Sequence, residues 1–178
     1  MKKFLLLTTV LLVLFSSCKK SSSSAPSGVT ATLNGKTKTF GAGAIAAKTS
    51  VAGITDIEII AAVSATTGEA IDLSISNGLT GGMDSIVAGT YSDTSTRFTV
   101  DLSYDQDNTG STSYDGGTSV GGSQGTGSVA QHVVITISSI TSNSIKGTFS
   151  GDVYLNGDPT STLLTVTSGS FNLALQKE

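Results

Sequence analysis

The densest group of potential ligands along the chain is Asp105-Gln106-Asp107-Asn108-Thr109-Gly110. Oxygen donors at Asp105, Asp107 and Thr109, with glycine next, match the first half of a calcium loop, where alternate side chains converge on one ion and the glycine makes the sharp turn. The twelfth position, which would supply a bidentate Glu, is Gly116, and no helical pattern flanks the loop. Asp and Asn are also ordinary turn residues, because their short side chains bond to nearby backbone. These three oxygens therefore stand as a candidate cation set within what reads as a turn, and no metal site is expected. His132 is the single histidine and stands one residue before an apolar run. Nothing near it forms a nucleophile motif such as Gly-x-Ser-x-Gly, so a solvated residue at a strand end is expected rather than a catalytic base. Glycoside hydrolysis needs two carboxylates about 5 to 10 Å apart, and the candidates Asp72, Asp101 and Asp152 are dispersed along the sequence. With no Trp and only Tyr91, Tyr104, Tyr114 and Tyr154, little is offered for stacking on sugar rings. The glycine-rich stretch Gly116–Gly127 lacks a Gly-Lys-Ser/Thr ending and a following helix, so it is no phosphate cradle. No catalytic residue is expected, and the chain reads as a non-enzyme.

One residue with covalent chemistry remains. Cys18 is the only cysteine, and it closes a segment that opens with Lys2-Lys3, continues through the uncharged apolar run Phe4–Phe15 and ends on Ser16-Ser17. A short cationic start, an apolar stretch and small residues make a secretory signal peptide. At roughly 1.5 Å per residue the run is too short to span a hydrocarbon core of about 30 Å. With cysteine at the cleavage point, Phe15-Ser16-Ser17-Cys18 resembles the lipobox of bacterial lipoproteins. The resemblance implies removal of residues 1–17, a diacylglycerol on the Cys18 sulfur and an acyl chain on its new amino group. One acyl chain binds a membrane only marginally, whereas two or more give a stable anchor. A single cysteine also excludes an intramolecular disulfide, so the domain must stand on its core. No other cofactor is expected.

The formal net charge is -3, and loss of Lys2 and Lys3 with the signal takes it to -5. An acidic chain with a single Arg and scattered Lys has no basic patch for nucleic acid. Residues 18–28, Cys-Lys-Lys-Ser-Ser-Ser-Ser-Ala-Pro-Ser-Gly, form a Ser-rich, Pro-broken tether. Lys19 stands where an Asp would signal inner-membrane retention in enterobacterial sorting. The expected location is therefore the cell envelope, lipid-anchored, at the outer membrane and facing the periplasm.

Residues 29–178 read as one antiparallel β domain. Val29–Leu33 and Lys36–Phe40 alternate about Asn34-Gly35, a strong two-residue hairpin signal. That turn pairs Ala31 with Lys38 and Leu33 with Lys36, placing lysines on the apolar side. An edge position would tolerate this. Gly41–Thr49 reads as a thin extension, Ile57–Ala65 and Ala70–Ser76 as a strand pair, and Ile86–Ser92 and Arg97–Asp105 as two more. Residues 105–128 are low-complexity and polar, and read as a long mobile hairpin loop. Val129–Thr141, Ser144–Asn156 and Ser161–Leu175 close the domain, with a bulge expected at Gly169, where the alternation between Val166 and Phe171 changes phase. The expected fold is an all-β, meander-rich sandwich or barrel of about eight to ten strands.

The lipobox, the Thr-Leu-Asn-Gly-Lys hairpin (Thr32–Lys36), Ile-Lys-Gly-Thr-Phe-Ser-Gly (Ile145–Gly151) and Ser-Gly-Ser-Phe-Asn (Ser168–Asn172) together resemble small uncharacterised lipoproteins of Bacteroidetes-type bacteria. The resemblance implies an envelope location and an all-β domain, and assigns no site residues. The expected role is non-catalytic binding or structure at the membrane through the lipid. A lipocalin-like carrier with Ile71, Leu73, Phe98, Val100 and Phe149 around a small apolar ligand is the alternative, and an envelope glycan hydrolase the third.

Overall fold

Strict alternation of apolar with Ser, Thr, Asp or Lys commits most of this chain to strands with one buried face. In the computed structural model, which describes residues 28–107, 112–118 and 132–177, eleven strands form: β1 (Gly28–Leu33), β2 (Lys36–Phe40), β3 (Ala42–Val51), β4 (Ile54–Ala62), β5 (Ala70–Ser76), β6 (Gly89–Ser92), β7 (Thr99–Asp105), β8 (Ser113–Gly117), β9 (Val134–Ile140), β10 (Ser144–Leu155) and β11 (Leu163–Lys177). A 3-10 turn at Gly78–Thr80 is the only helical element among the described residues. No helix there is long and apolar enough to cross a membrane. The expected signal peptide, Cys18, the expected tether through Ser27, Thr109 and most of the expected glycine-rich loop lie outside the described residues.

All strands join one mixed sheet in the order β2-β1-β11-β3-β4-β5-β7-β8-β10-β9-β6, and β10 also pairs with β11. The two longest strands hold it together. Along one edge of β11, β1 covers residues up to Asn172 and β3 takes Leu175–Lys177. Along one edge of β10, β9 covers Ile145–Ser150 and β8 takes Tyr154 and Leu155. Following the pairings from β11 through β3, β4, β5, β7, β8 and β10 therefore returns to β11.

Two expectations are corrected here. The sheet is not purely antiparallel, because β3 runs parallel to β11. Chain direction requires this: β1 is antiparallel to both β11 and β2, and β3 continues the direction of β2 past Gly41. The stretch 105–128, expected as one loop too polar to pack, contains an eleventh strand, β8. Tyr114 supplies the apolar anchor that composition obscured, being buried against the core. Gly116 lets β8 approach β10 closely, since a Cβ there would strike the carbonyl oxygen of Asp152.

The Asn34-Gly35 hairpin has the two-residue turn and the register expected, with Ala31 opposite Lys38 and Leu33 opposite Lys36. Both turn residues have positive φ, as a type I′ turn requires. The lysines are accommodated because β2 ends the strand order. Lys38 pairs with Glu69 from the β4–β5 turn and lies 2.9 Å from the Tyr104 hydroxyl, which donates to Glu69.

The core is continuous from Val29 to Leu175. Its tightest point is the β10–β11 ladder, where Gly147 lies opposite Phe171 and Phe149 opposite Gly169. Each ring covers the glycine facing it. A Cβ on Gly169 would lie 2.6 Å from the Phe149 ring, and one on Gly147 would strike both the Phe171 ring and the carbonyl oxygen of Thr136. The expected bulge falls just before Gly169: Ser168 is left-handed, and the register slips between the Phe149–Gly169 and Gly151–Val166 pairs. That slip resets the buried positions from Leu164 and Val166 to Gly169, Phe171, Leu173 and Leu175.

Overpacking a filled interior costs about 1–3 kcal/mol. Gly147→Ala and Gly169→Ala should each lower stability by about that amount, with Gly147→Ala the more severe because its Cβ would come within 2.1 Å of the Thr136 carbonyl oxygen, against 2.6 Å from the Phe149 carbonyl oxygen at Gly169. Gly41→Ala, where a Cβ meets nothing within 4 Å, should change it by less than about 0.5 kcal/mol. Urea midpoints of the three variants test the difference.

Candidate functional site

On the outer face of β3, β4, β5 and β7, polar residues meet in two cross-strand rows. Thr49, Asp56, Ser76 and Thr99 make one row; Ala47, Glu58, Ser74 and Asp101 make the next. Period two puts them there: Ile57, Ile59, Ile71, Leu73, Ile75, Val100 and Leu102 take the inner face, and their neighbours must face out. The rows line an open groove of about 440 Å³ that reaches the strands at Ile57 and Ile75, whose side chains point to the opposite, inner face. Small Ser, Thr and Ala side chains leave the room; Asp56, Glu58 and Asp101 give it its charge.

The next row holds Ile60, Asp72, Ser103 and Asp115. Asp72 has a solvent-shielded Oδ1 without a hydrogen-bond partner. Burial, with Glu58, Asp105 and Asp101 nearby, pushes its carboxyl up to about 6. Thus Asp72 and Asp101, expected only as scattered acids, come onto adjacent strands of one face. Asp152 does not join them on those strands. It sits on β10, two strands beyond β7 in the order, and is 2% exposed with its own Oδ1 unpartnered. Glu58 and Asp56 belong to the site and were not singled out from sequence. The available signal was their alternation with Ile57 and Ile59.

The remaining candidates resolve as follows. Asp105 ends β7, paired with Ala70 and Ser113, and Gln106 donates to Thr112 across the turn. Asp107 lies in that turn, whereas Thr109 falls outside the described residues. Among the described residues, no group of three or more His, Cys, Asp or Glu is placed to hold a metal ion. His132 lies with Nδ1 3.2 Å from Asp93 Oδ1, and Ser92 donates to the same carboxylate oxygen. The carboxylate stands between hydroxyl and imidazole. A triad needs the imidazole in the middle to take the proton of the serine, so this order cannot activate Ser92. The proposed carrier lining is packed: Ile71, Leu73, Val100 and Phe149 are buried in the common core, while Phe98 lies at its margin edge-on to Tyr91, with centroids 4.9 Å apart.

No protein-family model, curated protein or solved structure matches this chain.

The groove suits a polar or cationic group, since it offers carboxylates and hydroxyls. It also sets a pH dependence. An acid whose folded-state pKa is raised binds its proton more tightly folded than unfolded, so stability falls as pH rises through the interval between the two values. For Asp72 that window runs from 3.8 to about 6. Asp72→Asn should therefore stabilise the domain at pH 7 by about 1–2 kcal/mol after allowing for solvent screening, and give no gain at pH 3.5. Thermal unfolding of both proteins across this range is the check.

Proposed function

We propose that this chain is a lipid-anchored cell-envelope protein with a non-catalytic binding or structural role, held through Cys18 at the outer membrane and facing the periplasm. The observation that carries the reading is the position of Cys18, the only cysteine, directly after an uncharged apolar run that starts behind Lys2-Lys3. Among the described residues the first strand begins at Gly28, so acylation at Cys18 leaves these strands free of the lipid. We read the closed circuit of strand pairings as a flattened barrel whose two broad faces pack like a sandwich. The strands β10 and β11 pass from one face to the other at the two seams. Filling of the interior by Phe149 and Phe171 against Gly169 and Gly147 favours this packed form over a lipocalin-like carrier. Binding is then assigned to the outer surface, where the acidic groove is the best-formed candidate.

One observation favours a second reading. Asp72, at about 6, has the protonation range of a general acid, and Glu58 and Asp101 on neighbouring strands are the candidates for the second carboxylate of glycan hydrolysis. No aromatic side chain lines the groove, so this reading ranks below the non-catalytic one.

Cys18→Ala should leave the fold unchanged and move the protein from the membrane to the soluble envelope fraction. Retention of that variant on membranes after a high-salt wash would reject the lipid anchor. Release of sugars from purified envelope glycan, abolished by Asp72→Asn, would promote the hydrolase reading over the non-catalytic one.

A further inference from the structure

Exposed apolar side chains gather at one end of this fold. β3 and β11 run parallel towards it, and the β3–β4 turn and the β5–β6 connection lie there. Five large apolar residues on these two segments are open to solvent: Val51 (74% exposed), Ile54, Leu79, Met83 (86% exposed) and Val87. Of the other exposed large apolar residues among those described, Ile45 lies towards the start of β3, opposite Ile60, and Leu163 lies at the opposite end of the fold. Contiguous apolar exposure of this kind marks a contact surface, because isolated exposed residues scatter.

The two segments are fixed to each other. Asn77 is buried; its Oδ1 accepts the Thr55 N–H at 2.7 Å and its Nδ2 donates to the Asp84 carbonyl at 2.6 Å. Its own carbonyl accepts from the Thr80 and Gly82 N–H groups. Gly82 lies directly against the Gly53 carbonyl, leaving no room for a Cβ. Arg97 holds Asp84 with two nitrogens, Nε at 2.8 Å from Oδ2. The apolar residues are thus presented on a hydrogen-bonded frame.

Charge and chain direction identify the occupant. Ser50–Thr55 and Asn77–Met83 contain no charged residue. Set back from them, Lys48 and Lys177 lie opposite each other across the β3–β11 pair. Nearer the tip than these lysines stand Asp56, opposite Thr49, and Asp84, held by Arg97; the uncharged apolar tip suits the acyl boundary of a bilayer surface, with this mixed polar belt at headgroup depth. The strand β1 runs away from this end, antiparallel to β11, with Gly28 opposite Asn172 and so about eight positions, roughly 26 Å, behind Val51. Only nine residues stand between Cys18 and Gly28, ten Cα–Cα steps with a reach of at most about 36 Å. We propose that this end is a membrane-docking face: Val51, Ile54, Leu79 and Met83 seat in the interface of the bilayer that holds the Cys18 lipid, and Lys48 and Lys177 face its anionic headgroups. The proposal rests on the lipid-anchor reading above, and it turns the acidic groove sideways to the membrane rather than into it.

The lipidated chain offers a direct test, because acylation of Cys18 leaves an introduced cysteine as the only thiol. Met83→Cys and, at the other end, Thr162→Cys would each carry a nitroxide. Both would be reconstituted in phosphatidylethanolamine–phosphatidylglycerol vesicles and probed by collision with oxygen, which enters bilayers, and with a water-soluble nickel chelate. The label at 83 should collide more with oxygen and the label at 162 more with nickel. Nickel-dominated collisions at both positions, on protein that floats with the vesicles, would overturn docking and leave the anchor standing. Failure to float after a salt wash would reject the anchor and docking together. Spin–spin broadening at position 83 without vesicles would assign the face to a second copy of the chain and overturn the membrane proposal.

Discussion

Reciprocal Phe–Gly pairing across β10 and β11 is the constraint on which the rest of this structure depends. Phe149 lies over Gly169 and Phe171 over Gly147, so two large rings occupy the narrow space between facing strands without displacing either backbone. Dense interiors tolerate little extra volume. The pair must therefore stay together along nearly its whole length for either ring to find its place. Because β10 also carries β9 and β8, and β11 carries β1 and β3, every sheet edge is reached through this one ladder. The bulge at Ser168 belongs to the same constraint: it brings Gly169 and Phe171 to the buried face after Leu164 and Val166 have already used it.

Once the inner face is filled, chemistry is confined to the outer one. The groove over β3, β4, β5 and β7 gathers acids that repel one another, and burial first, with those acids second, keeps the proton on Asp72 up to about 6. Such an arrangement lowers stability at neutral pH and is the kind of local conflict expected where a surface does something other than fold. The hydrogen-bonded apolar end is a second such conflict, since Val51 and Met83 face water although the core accepts residues of their type.

Much of the fold was legible because strand periodicity survives in short stretches. Ile71, Leu73 and Ile75, and later Ile145, Phe149 and Val153, alternate so regularly that their inward face could be named. Asn34-Gly35 disclosed both its turn and its register. The strand β8 was hidden because one Tyr among Ser, Asp and Gly carries too little apolar signal, and its two glycines reflect close packing rather than looseness. Parallel pairing of β3 with β11 could not be read, since it links residues far apart in sequence. The site was half legible: Asp72 and Asp101 were candidates by type, whereas their convergence with Glu58 depends on the order of β4, β5 and β7, which local patterns do not encode. For the Phe–Gly motifs, spacing pointed to strands, and only their cross-strand register explains why glycine and phenylalanine occur together in both.

The central claim is that the chain is processed and anchored at Cys18. The most direct measurement is the intact mass, under denaturing conditions, of the protein extracted from its native envelope. The account predicts a chain beginning at Cys18 and carrying a diacylglycerol and an amide-linked acyl group on that residue. A mass equal to an unmodified chain, whether cut elsewhere in Ser16–Ser24 or left whole, would contradict it.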